Sequence, residues 1–246
     1  MFTYQILIEY DGSNYSGWQI QKNANSIQEI IQKTLKKIFN EKINIFGSGR
    51  TDKGVHATEQ SAHFSTNIKI RNKEILLNSL NFFLRNHNIS ILDLRKKSEN
   101  FHARHSAKLR TYKYIIVNRQ ANLVLKKNRA WHIKKKLDVN LMKKGGRLLT
   151  GTKDFSTFRA ASCGAQSPIK TMKNVKIKKI KNKIEIYFSS QSFLQQQVRS
   201  MVGCLKYLGE KKWNLKKFRM VMNSRKRKNC APPAPPYGLY LIKVKY

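Results

Sequence analysis

Acidic residues are scarce: 13 Asp and Glu stand against 50 Lys and Arg in 246 residues, a formal net charge of +37. Such an excess speaks about partners more than about fold, and the partner it calls for is a polyanion. Cysteine is also rare. Cys163, Cys204 and Cys230 are far apart and form no CxxC pair, which argues against a zinc cluster and a disulfide framework, so they are read as reduced thiols. None of the six histidines falls in HxxxH or HxH spacing, and no metal is expected. No stretch approaches ~18 uninterrupted apolar residues, which excludes a helical membrane span. The opening Met1-Phe2-Thr3-Tyr4-Gln5 reads as a strand with no charged leader, so a cytoplasmic protein is expected.

Two common glycine motifs are missing as well. In Gly47-Ser48-Gly49-Arg50-Thr51-Asp52-Lys53-Gly54-Val55-His56-Ala57, the last loop glycine is followed by Val55 and His56, where a P-loop needs Lys and Ser or Thr. A dinucleotide fingerprint needs a third glycine where Asp52 stands and a helix after it, and the sequence that follows reads as strand. The loop does contain one carboxylate close to two cations. Only five residues of the chain are Asp, and a carboxylate kept among cations on a polyanion-binding surface points to chemistry. The structural alternative is a tight hairpin whose glycines take positive φ and whose Asp caps its own turn.

Charge runs such as Lys134-Lys135-Lys136 and Arg225-Lys226-Arg227-Lys228 occur in the second half, and basic residues are spread through the first as well, so the footprint is a face and not a tail. A 40% apolar content over this length supports a buried core in one large or two modest domains. Phe2, Tyr4, Ile6, Ile8 and Tyr10 alternate as in a strand. Ile27, Ile30, Ile31, Leu35, Ile38 and Phe39 make a helical stripe opened by a Ser26/Glu29 capping box. Strands near 43–46 and 60–65 flank the Asp52 loop. A helix carrying Ile75, Leu76, Leu80, Phe83 and Leu84 and a strand over 89–94 complete β-α-β-β-α-β. The second half repeats the order: a strand over 110–117, a helix over 137–149, a hairpin of 175–180 and 184–188, a helix carrying Leu194, Val198, Met201, Val202, Leu205 and Leu208, an added helix over 215–222, and a strand over 239–246. The expectation is an α+β fold of two ferredoxin-like units, residues 1–105 and 106–246, with a mainly antiparallel central sheet over a basic cleft.

Seven collinear segments now bear on family: Tyr10-Asp11-Gly12 with Gly17-Trp18-Gln19; the 47–57 loop; Phe101-His102-Ala103-Arg104 leading to Tyr112-Lys113-Tyr114; Asp154-Phe155 with Phe158-Arg159; Phe193 with Val198-Arg199; Val202-Gly203; and Gly238-Leu239-Tyr240-Leu241. Together, from Tyr10 to the C-terminus, they resemble bacterial tRNA pseudouridine synthase A. The GRTDxGVHA string is the specific part.

The resemblance implies an isomerase with a pseudouridine-synthase fold, converting uridine to pseudouridine in the anticodon stem-loop of tRNA, as a homodimer and without a cofactor. The reaction breaks the C1′–N1 bond, turns the bound base and rejoins it through C5. Asp52 matches the catalytic carboxylate, as nucleophile or base, and must be ionised, which neighbouring cations favour. Arg199 matches the cation that pairs with it; without the resemblance, it reads as a solvated helix charge. Tyr112 matches the aromatic that stacks on the uracil, where the plain alternative is strand packing. Arg50 matches the group that enters the stem as the base leaves, and Leu239 a substrate-pocket contact. Base extrusion costs a few kcal/mol and a stack returns on the order of 1 to 3. Gln195 and Gln196 stand where the family often has histidines, so they are not expected to carry protons. The approach from Cys230 to Tyr237 is richer in proline than the family pattern and reads as a PPII segment. A synthase of different RNA specificity and a non-enzymatic RNA-binding protein are the alternatives.

Overall fold

The alternation that opens the chain becomes β1 (Phe2–Tyr10), which buries Tyr4, Ile6, Ile8 and Tyr10. The computed structural model describes residues 1–246, which divide into two units, Met1–Lys108 with Leu241–Tyr246, and Leu109–Tyr240. No helix is long and apolar enough to cross a membrane. The class is α+β, with mostly antiparallel strands, one parallel pair and five α-helices.

In the first unit β1 lies between β4 (Ile89–Lys97) and β3 (His56–Thr66), and β2 (Ile45–Gly47) adds to β3, all antiparallel. Helix α1 (Ile27–Phe39) starts where Ser26 Oγ accepts the Glu29 N–H, 3.3 Å, and stops at Asn40, whose φ of 55° a helix cannot continue. It buries Ile27, Ile31 and Leu35. Helix α2 (Lys73–Leu84) is capped by Asn72 and buries Leu76, Leu80 and Leu84. Ile75 belongs to the apolar stripe in sequence, yet it is exposed, because the buried positions recur every four residues from Leu76.

The second unit is ordered β5 (Leu109–Asn118), β9 (Lys183–Ser190), β8 (Ile169–Ile180), β7 (Gly151–Asp154), again antiparallel. The exception is β6 (Trp131–Ile133), which runs parallel to β5. Helices α3 (Val139–Leu148) and α5 (Leu215–Asn223) begin at Asp138 and Asn214, whose side chains accept N–H groups of Leu141 and Lys217 at 2.9 and 2.8 Å. Between them in sequence, α4 (Gln197–Gly209) buries Val198, Met201, Val202, Leu205 and Leu208. The last strand, β10 (Leu239–Lys245), starts with second-unit residues and continues into residues of the first. The sequence boundary at 105/106 thus lies just before Leu109, and Leu241–Tyr246 belong with the first unit, not with 106–240.

Candidate active site

Asp52 sits, half-buried, in the loop between β2 and β3, and its main chain is fixed from both sides. On one side, Trp18 N–H donates to Thr51 O, 3.1 Å, and Gly17 and Asp52 form an isolated antiparallel bridge. On the other, Val55 N–H donates to Asp52 O, 3.1 Å, closing a turn in which Gly54 has φ 76°, and Gly54 N–H donates to Tyr15 O, 3.4 Å. Tyr10 Oη and Thr51 Oγ1 are 2.8 Å apart in a buried contact. The close approach of segment 15–18 requires glycine: Gly17 has φ 108°, and a Cβ there would stand 2.4 Å from Thr51 O. The root of the loop is pinned by buried Gln60, whose Oε1 accepts from Ser48 Oγ at 2.7 Å and whose Nε2 donates to Gly49 O at 2.8 Å. Gln60 is outside the loop, and nothing in its sequence context marks this role.

Arg50 and Lys53 are exposed on the same loop, and Arg50 Nε donates to Gln19 Oε1 at 3.0 Å. His56, almost fully buried at the start of β3, has Nδ1 at 2.9 Å from Asp11 Oδ1 and 3.1 Å from the Gly12 amide, so its role is to tie the 11–12 turn to β3. The structure therefore brings Asp52, Arg50 and segment 15–19 together within the first unit.

The other three candidates lie in the second unit. Tyr112 is on β5, opposite Phe188 of β9, with Phe193 edge-on to its ring at 5.1 Å. It is 7% exposed, and Leu239 at the head of β10 is 5% exposed. Arg199, in the first turn of α4, is held by a reciprocal pair: its Nε donates to Ala234 O at 2.8 Å, and Ala234 N–H donates to Arg199 O at 2.9 Å. Ala234 belongs to the proline-rich approach, where Pro235, at φ −53° and ψ 146°, has PPII geometry. Next to it the phenol of Tyr114 donates to Pro235 O, 2.8 Å. Burial holds that phenol well above its usual range; Tyr237 acts in the same direction and the Arg199 charge opposes both.

The stretch before α4 is built by the glutamines. Gln196 takes φ 59° as the N-cap, and buried Gln197 accepts the Leu194 N–H through Oε1, 2.8 Å. Cys204 and Cys230, 26 residues apart in sequence, are neighbours in space with Sγ atoms 3.4 Å apart, although both remain free thiols. Their separation along the chain concealed that pairing.

A family model described as tRNA pseudouridine synthase matches residues 6–106 and 147–246. The chain belongs to that family. Asp52, Arg50, Arg199 and Leu239 fall within the matched residues, and Tyr112 falls between them. Among curated relatives, tRNA pseudouridine synthase A of Pelagibacter ubique (strain HTCC1062) is 62% identical over 246 residues, covering 100% of both chains. The proteins of the same name from Ehrlichia canis (strain Jake) and Thermoanaerobacter sp. (strain X514) are 43% and 42% identical, over 99% and 98% of each chain.

Proposed function

We propose that this chain isomerises uridine to pseudouridine in the anticodon stem-loop of tRNA, with Asp52 as the carboxylate that acts on the nucleoside. The observation that carries this reading is the fixation of Asp52. Hydrogen bonds on both sides, at Thr51 and at Val55 and Gly54, hold the backbone that carries its side chain, and a positioned group converts a bimolecular step into an effectively unimolecular one. That this occurs in a chain of the tRNA pseudouridine synthase family supports the assignment.

In this reading, the ionised carboxylate attacks the nucleoside or takes a proton from its sugar. The C1′–N1 bond breaks, the uracil turns while bound, and C5 bonds to C1′. The C5 proton is released and N1 ends protonated, so there is no net redox change. Arg199 supplies the cation that pairs with the carboxylate, Tyr112 stacks on the uracil, Leu239 lines its pocket, and Arg50 fills the stem where the base has left. The order β4-β1-β3-β2 supports a ferredoxin-like plan for the first unit. A second such unit, a basic cleft, cytoplasmic location and a homodimer complete the proposal, in keeping with the net charge of +37.

Asp52→Asn keeps the shape of the side chain and removes its charge. In single-turnover assays with excess enzyme, the folded variant is expected to form no pseudouridine while still binding tRNA, with binding tightened slightly as one repulsion from phosphate is lost. Product formation within a few-fold of wild type would return the loop to a structural turn.

A further inference from the structure

The register of β2 on β3 sets Phe46 opposite His63, and their rings stack at 5.2 Å with an interplanar angle of 26°. His63 lies 4.7 Å from His102, and His102 lies 4.3 Å from His105, ring centre to ring centre. Four rings from three separate segments of the first unit therefore form one contiguous row, in which the Phe46–His63 pair is stacked and the two following pairs are tilted at 59° and 52°. The inner ring is fixed: His63 is 6% exposed, and its Nδ1 accepts the Ala103 N–H at 3.1 Å. Burial foremost, then the neighbouring His102, lowers its pKa to about 4, so it is neutral near pH 7. His102 Nδ1 accepts the N–H groups of Arg104 and His105, at 3.1 and 3.4 Å, and burial and then His105 depress its pKa too. With Nδ1 accepting, neutral His102 carries its hydrogen on Nε2.

The ends of the row are open to solvent. Phe46 is 48% exposed and His105 is exposed. The other phenylalanine that is more exposed than this, Phe82, has the Arg85 guanidinium over its ring at 4.5 Å and so has a local cover. Cations flank the row. Exposed Lys42, Asn44 and Phe46 alternate with buried Ile43 and Ile45, so Lys42 shares the outward side of its segment with Phe46. Arg104, also exposed, adjoins His105 in the 101–105 turn. The Lys97 ammonium lies 5.2 Å from the centre of Phe101, whose ring meets His63 edge-on at 5.9 Å.

Aromatic faces beside cations suit an unpaired nucleotide: the base stacks, tolerant of its identity, and the phosphates meet the charges. We propose that the row Phe46, His63, His102 and His105 is a second RNA-contact surface, distinct from the Asp52 loop, which stacks one unpaired base of the bound tRNA and steadies its phosphates through Lys97 and Arg104. The proposal rests on the reading of tRNA as substrate.

The test measures Kd for unmodified tRNA with wild type, Phe46→Ala and Phe46→Trp, together with melting temperatures and photo-cross-linking to tRNA carrying 4-thiouridine. Phe46→Ala is expected to weaken binding roughly five- to 150-fold, the range for loss of one base stack, in a protein that stays folded, with its melting temperature lowered by no more than the lost Phe46–His63 ring contact accounts for. Phe46→Trp is expected to bind as wild type, and cross-linked peptides to include 42–46 or 101–105. A folded Phe46→Ala that binds within twofold of wild type overturns the proposal, as does equal weakening by Ala and Trp. If wild type binds and converts tRNA while Phe46→Ala is normal, only this surface fails; if wild type neither binds nor converts tRNA, the functional reading fails first.

Discussion

Asp52 and Tyr112 are held in different ways, and the difference decides how each should respond to mutation. Asp52 is fixed through its backbone, by hydrogen bonds that Asp52→Asn retains. Tyr112 is fixed through its ring, packed edge-on against Phe193 on a buried strand face. Tyr112→Phe keeps the ring and that contact, and is expected to retain most single-turnover activity. Tyr112→Leu is expected to lose roughly 1 to 3 kcal/mol of flipped-base stabilisation and the aromatic pair, about 0.5 to 1.5 kcal/mol, so its melting temperature must be recorded alongside. Equal activity of Leu and Phe would remove the stacking role; a Phe variant as inactive as Leu would transfer the role to the hydroxyl. The Asp52 loop could be read from the chain because its wording is local. Gln60, which pins the root of the loop, and His63, which joins β2 to the 101–105 turn, could not, since each acts through partners distant in sequence.

At the level of elements, the second unit depends on how closely α4 meets the proline-rich segment. A Cβ at Gly203 would stand 2.0 Å from the Pro232 carbonyl oxygen, and two residues later that segment supplies Ala234, the partner of Arg199. Gly203→Ala must therefore push backbone from backbone. It is expected to destabilise by about 1 to 3 kcal/mol, the usual cost of overpacking, read as a fall in melting temperature. Wild-type stability would show that the segment yields freely. Helices and long strands were legible because apolar spacing along α1, α4 and β1 declares which face is buried. β6 and β7 were not: they have three and four residues, and their pairings with β5 and β8 define them more than their composition does. β8 begins at Ile169, ahead of the expected 175, because in its first stretch, from Ile169 to Asn174, only Met172 is buried and no alternation is visible.

Across the whole molecule the dominant quantity is the charge of +37. Directed at RNA, it makes affinity steeply dependent on salt: the slope of log affinity against log salt is about −0.9 per phosphate neutralised in duplex regions, and at least ~5 phosphates are expected, giving about −4.5 or steeper. A slope shallower than about −3 would mean that most of this charge does not face tRNA. The return of Leu241–Tyr246 to the first unit was not legible in the sequence, because that choice is made by contacts such as Tyr246 Oη with Ser61 Oγ, 2.7 Å, across 185 residues of chain. The most direct test of the central claim is to incubate the purified protein with unmodified tRNA and map pseudouridine by carbodiimide primer extension. Stops within the anticodon arm are expected. No stops would make the chain a binder only, and stops confined to other positions would contradict the assigned substrate.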